Sequence, residues 1–169
     1  MQEGLLALDA WLGQTGLNAW VRSSPHIYPW ANVLHVLGVA LLVGAIGILD
    51  LRIAGAWRRL PLEALSAALT PLAATGVAVQ AASGLVLFAA DGQALAASGV
   101  FHAKLALMAA ALLNAALFRW RWRSLAHASR TRGEVVAREE PPASARLLAL
   151  ASLALWIAVL ILGRLIAYA

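Results

Sequence analysis

Four stretches of the chain carry almost no formal charge: Trp30–Leu49, Leu69–Ala90, Val100–Phe118 and Leu147–Ala169, the last interrupted by Arg164 near its end. A run of twenty residues spans about 30 Å as an α-helix, the thickness of the hydrocarbon layer of a bilayer. The pattern predicts an all-α membrane protein, a four-helix bundle with spans at 30–49, 69–90, 100–118 and 147–168. Before the first span, Leu5, Leu8, Trp11 and Leu12 share one helical face, and Gly13 and Gly16 interrupt the pattern ahead of Leu17, Trp20 and Val21. Residues 1–24 thus read as a short interfacial helix on the outer membrane surface. A signal peptide is not expected, since no basic segment leads and Asp9 breaks the apolar stretch.

The connections are equally informative. Ser23, Ser24, Pro25 and Pro29 turn the chain into the first span, with Tyr28 and Trp30 placed as interfacial anchors. Pro61 suits a first helical residue in the segment 60–68, and Thr70 with Pro71 either opens the second span or kinks a helix that begins earlier. Residues 119–146 read as a cytoplasmic loop, most mobile over 131–140, where charge is dense and Pro141 and Pro142 follow. The whole is one membrane domain over residues 1–169.

Composition narrows the chemistry. Hydrophobic residues make up 62% of the chain, too many for an ordinary soluble domain of this length. The absence of cysteine excludes disulfides, iron–sulfur clusters, thiolate metal sites and covalently attached haem. With only Met1 and Met108, a thioether route for copper is disfavoured as well. The net charge of +5 comes from arginines that gather in two connections, Arg52, Arg58 and Arg59 in one and Arg119, Arg121, Arg123, Arg130, Arg132, Arg138 and Arg146 in the other. The connection from Asp91 to Gly99 has no basic residue. By the positive-inside rule the arginine-rich connections face the cytoplasm of a bacterial inner membrane and both termini are periplasmic. The basic charge is therefore topological, and anionic lipid rather than nucleic acid is its partner.

His35 stands out as an imidazole inside the first apolar run, roughly 7.5 Å from its Trp30 end. An ionisable group at that depth is paired, faces the bundle interior or binds something. Ala31, His35, Gly38 and Leu42 share a helical face, and Gly38 would allow a flat macrocycle to approach the backbone. In the second span Gly76, Gln80, Ser83 and Gly84 form a similar stripe that would add room for the macrocycle, though packing is the favoured reading because close helix contact requires the same small residues. His26 and His127 fall in connections. Asp50 is expected to meet Arg52 or Asn114 in a structural contact, with a proton path as the alternative reading.

An internal similarity adds a second histidine. Leu34–Arg52 reads LHVLGVALLVGAIGILDLR and Phe101–Arg119 reads FHAKLALMAAALLNAALFR, both with histidine second and arginine last. A duplicated hairpin would bring His35 and His102 to similar depths on two spans running the same way. Opposed imidazoles of this kind supply both axial ligands of a b-type haem. Lys104, the single lysine among thirteen basic residues, points about 200° away from His102, so only one of the two can face the interior. Lys104, Arg164 and Arg22 are placed to neutralise haem propionates.

Tyr28-Pro29-Trp30, His35, Gly38, Gly44 and Asp50-Leu51-Arg52, with Phe101, Lys104, Asn114 and Phe118, together resemble an uncharacterised bacterial family of four-helix membrane proteins. The similarity covers most of Tyr28–Arg119. More distantly, the histidine in the first span and the lysine opening a later one resemble HemJ-type protoporphyrinogen oxidases and CopD-type copper-resistance proteins. The HemJ resemblance implies b-haem at His35 and, further, a role for Lys104, whereas the internal repeat favours His102.

The sequence thus points to haem b held near the outer leaflet, with His35, His102 and Lys104 as candidate ligands and Gly38 and Arg164 lining the site. The function expected is electron transfer or oxidation of a lipophilic substrate such as a porphyrinogen or quinol. The partners open to it are the lipid bilayer, a redox protein or quinone, and a second copy of the chain. The competing reading is a cofactor-free membrane subunit or small transporter, and a third is copper passage through His26, His35 and His102.

Overall fold

A computed structural model describes residues 1–131 and 141–168, with side chains over 1–121 and 141–168. Among these residues the chain is helical and has no strand. The elements are α1 (Gln2–Gln14), α2 (Leu17–Ser23), α3 (Ile27–Ala54), α4 (Leu62–Ala97), α5 (Gly99–Thr131) and α6 (Ala143–Leu165), closed by a 3₁₀ turn at Ile166–Tyr168. Four segments are long and apolar enough to cross a membrane: Ile27–Ala54, Leu62–Ala97, Gly99–Arg121 and Ala143–Tyr168. Most of their apolar side chains face outward, Trp30, Val36, Leu113 and Leu147 among the most exposed. Such a surface demands lipid, and the chain is built as a multi-pass membrane protein.

The helices exceed the apolar runs at both ends. α4 starts at Leu62, with Pro61 outside it as the cap residue rather than as its first helical residue. Pro71 sits inside α4, and the only non-helical backbone there is at Asp91, with φ −146° and ψ 46°. The polar stretch after Ala90 is consequently helix past a break rather than loop, and Ser98 alone links α4 to α5. Residues 119–131, expected in a loop, continue α5. The charged segment 132–140 lies outside the described residues, as does the side chain of His127.

α3 occupies the centre. Its residue numbers rise where those of α4 fall: His35 meets Ser83, Gly38 meets Gln80, and Leu42 meets Gly76. A methyl group on Gly76 would stand 2.6 Å from the backbone nitrogen of Leu42, so the two helix backbones are in contact and only glycine fits. On its other flank α3 packs antiparallel to α6, through Leu42 with Trp156 and Val159 and through Ile53 with Ala145 and Ala149. α5 packs along α6 and runs parallel to α3. It meets α4 mainly near the junction of the two helices, where the rings of Phe88 and Phe101 stack with centroids 6.0 Å apart.

The amino-terminal segment holds the expected short helix, α1, followed by a second, α2, and both are docked on protein. Gly16, at φ +80°, makes the joint between α1 and α2. Leu12 and Val21 are buried with Phe88 and Ala89 of α4, while Trp11 and Trp20 remain exposed. Asp9 accepts a hydrogen bond from Asn18 Nδ2 at 3.0 Å and lies against Gly92, just past the break in α4. Arg22 Nε donates to the Ala90 carbonyl at 3.0 Å. The cap thus clamps α4 where its helix is interrupted.

Candidate functional site

His35 projects from α3 toward α4, half-buried. Its Nδ1 is 3.0 Å from Ser83 Oγ, and that hydroxyl is 2.5 Å from the Val79 carbonyl one turn earlier. A serine has one hydroxyl hydrogen, and here the carbonyl takes it, so Ser83 accepts and His35 Nδ1 donates. The neutral imidazole then carries its lone pair on Nε2. Among the described residues Nε2 has no hydrogen-bond partner.

The surrounding residues hold the ring in place. Gln80 Nε2 donates to the His35 carbonyl at 2.8 Å, tying the α3 backbone to α4 beside the imidazole. A side chain at Gly84 would meet His35 Cε1 at 3.3 Å, so the glycine leaves the space that the ring fills. Ser83 and Gly84 are the residues whose role the sequence left as packing. Their signal was a polar and a small residue three and four positions beyond Gln80, on the stripe that faces α3.

Lys104 lies on the inner stripe of α5 together with Leu107, Met108 and Ala111, and its Nζ rests along Gly163 of α6, 3.6 Å from where a Cβ would stand. The internal repeat is not carried into the packing. Its alignment matches the buried Leu42, Ala45 and Asp50 of α3 with Ala109, Leu112 and Leu117 of α5, all exposed. His102 accordingly sits off the inner stripe, though its Nε2 is enclosed and unpartnered.

Other candidates are placed differently from the sequence expectation. The face of Gly38 is occupied by α4: a methyl group there would stand 3.1 Å from both Gln80 N and Val79 Cγ1, so no macrocycle reaches the backbone. Arg164 is exposed, hydrogen-bonds Tyr168 Oη at 2.5 Å and lies over its ring. Arg22 is committed to Ala90. His26 is exposed as the cap of α3. Asp50 bonds Ser152 of α6 rather than Arg52 or Asn114. Arg52 turns to the carbonyls of Leu60 and Arg58, and Asn114 Nδ2 donates to the Leu148 carbonyl at 3.0 Å.

No group of three or more His, Cys, Asp or Glu side chains converges on a metal position among the described residues. No family model, no curated protein and no solved structure matches the chain.

Proposed function

We propose that the protein binds a b-type haem through His35 Nε2 in a bacterial inner membrane, with its termini periplasmic, and serves electron transfer or the oxidation of a lipophilic substrate. The observation that carries this reading is the hydrogen-bond chain His35–Ser83–Val79. Histidines that ligate metals characteristically donate their other N–H to a fixed acceptor, which sets the tautomer and aims the free nitrogen. A haem supplies four nitrogen donors of its own, so one or two protein ligands complete it. That matches a site with a single oriented imidazole, and it disfavours copper passage, which needs several converging ligands.

When bound, the haem would supply one-electron chemistry. The chain's own residues do the rest. Ser83 and Gly84 orient the imidazole, and Gln80 locks the helix register beneath it. Lys104 supplies a cation or an amine on the interior face, and the Phe88–Phe101 stack with the α1–α2 cap covers the outer end of the bundle. His102 remains the alternative second ligand through its unpartnered Nε2.

The deciding experiment is an absorption spectrum of detergent-purified protein, oxidised and dithionite-reduced, with a pyridine haemochrome assay. A Soret band with sharp reduced α and β bands, lost in His35→Ala, is the expected result. A colourless preparation from haem-replete cells overturns the reading and leaves the cofactor-free subunit or small transporter. Lys104→Gln and His102→Ala then assign the second ligand. Substitution of an axial ligand converts the spectrum from low-spin to high-spin, whereas loss of a propionate partner weakens retention and leaves the band shape.

A further inference from the structure

Of the two acids buried among the described residues outside the histidine site, Asp9 is held by Asn18 and Asp50 lies within the bundle. Asp50 lies near the arginine-rich end of α3, only 8% exposed, and its side chain is hydrogen-bonded to Ser152 of α6. Its Oδ2 is enclosed and has no hydrogen-bond partner. One turn further along α6, the Trp156 indole nitrogen is likewise enclosed and unpartnered, on a side chain 3% exposed. Helical side chains lean toward the amino-terminal turn of their own helix, which carries this indole toward the level of Ser152. Two orphaned polar atoms, an acid oxygen of α3 and an indole N–H of α6 one turn beyond Ser152, are thus enclosed in the bundle.

Among the described residues, the charged groups at this end are Arg52 of α3, Arg58 and Arg59 of the following turn, Glu63 of α4, Arg119 and Arg121 of α5, and Arg146 of α6. Arg52 is spent on backbone carbonyls, and Glu63, Arg58, Arg59, Arg119 and Arg121 are exposed. Arg146 is half-buried and engaged in a contact of its own. A carboxylate at such depth with one bare oxygen is far costlier than the neutral acid. A metal cation asks for more oxygens than one carboxyl and one hydroxyl provide, whereas a proton needs a single oxygen.

We propose that Asp50 is a proton-binding site of the bundle, with the proton on Oδ2 and exchange through the arginine-rich end. Such a carboxyl gives the protein a place to take up or release a proton at the opposite end of α3 from His35. The assignment is independent of haem.

Dicyclohexylcarbodiimide tests it, because the reagent adds to a protonated carboxyl shielded from water and leaves a stable N-acylurea. With the full chain in lipid nanodiscs, the expected adduct maps to Asp50 by peptide mass spectrometry. It diminishes to nothing as pH is raised, and it is absent from Asp50→Asn. In Ser152→Ala the adduct still forms, with its pH midpoint displaced. If Asp50→Asn does not fold, the pH profiles of the native chain and Ser152→Ala decide alone. Absence of an adduct at every pH overturns the proposal, and so does an adduct indifferent to pH, which marks a sealed structural acid. Suppression by sodium at constant pH overturns it in favour of a cation site. A colourless protein that labels at Asp50 refutes the haem reading alone, and a haem-loaded protein that does not label refutes this one alone.

Discussion

At the scale of single residues, the imidazole of His35 shows how little the identity of a side chain says without its partner. Its depth in an apolar run marked it for notice, but its chemistry depends on which nitrogen holds the proton. Ser83 decides that by spending its one hydrogen on Val79 and leaving only acceptor capacity for Nδ1. Ser83→Ala is therefore expected to weaken haem retention by roughly 10- to 100-fold while preserving the spectral type, as loss of an outer partner does at metal sites. Haem-transfer kinetics to apomyoglobin measures this, and an unchanged transfer rate would remove Ser83 from the site. In the haem-free protein, ¹⁵N NMR of labelled histidine is expected to show His35 protonated at Nδ1.

Between elements, glycine positions set how closely the helices approach. The stripe Gly76, Gln80, Ser83 and Gly84 was readable as a packing surface, and Gly76 serves as one. Adding a side chain at Gly76 drives it into the Leu42 backbone, which cannot rotate away as a side chain can. Gly76→Val should destabilise the α3–α4 pair by about 1–3 kcal/mol or more, read as a lowered melting midpoint in detergent. Gly44→Val, where nothing lies within 4 Å of the added Cβ, is the matched control and should leave the midpoint in place. Gly92 makes the second test, since a Cβ there would overlap Asp9 Oδ1. Gly92→Ala is expected to lift α1 from α4 and raise hydrogen exchange across residues 2–23, with α3 and α6 unaffected. The amphipathic pattern of that segment was legible, but its destination was not. An apolar helical face has the same sequence whether it lies on lipid or on protein, and only the facing Phe88 and Ala89 distinguish the two.

For the whole molecule, the distribution of arginine argues topology and the absence of cysteine makes it measurable. Single cysteines introduced at Glu3 and Arg59, both exposed, are expected to react with a membrane-impermeant maleimide from opposite sides of the membrane. Labelling of both from the same side in intact cells would overturn the assigned orientation. The same scale explains why the internal repeat misled. Two spans of a bilayer share length and end in arginine for reasons of the membrane, so similarity between them does not imply equivalent neighbours. α3 is flanked by α4 and α6 and is buried along Ala31, Gly38, Leu42, Ala45, Asp50 and Ile53. α5 leans on α6 along a different stripe, which turns Lys104 inward and leaves His102 beside it.

Hydropathy alone determined that the chain is helical, that four segments suit a membrane and that His35 needs an explanation, because each is a property of local composition measured against the thickness of lipid. Helix limits followed less well, since helices run on past the apolar layer wherever no residue stops them, as α4 does beyond Asp91 and α5 beyond Phe118. Only the tertiary structure decided which faces meet. It joined His35 to Ser83, Asp50 to Ser152 and Lys104 to Gly163, pairs up to about a hundred residues apart. Contacts of that kind arise from the rotation and crossing of whole helices, and in a chain where nearly every helical face is apolar, hydropathy does not encode that rotation.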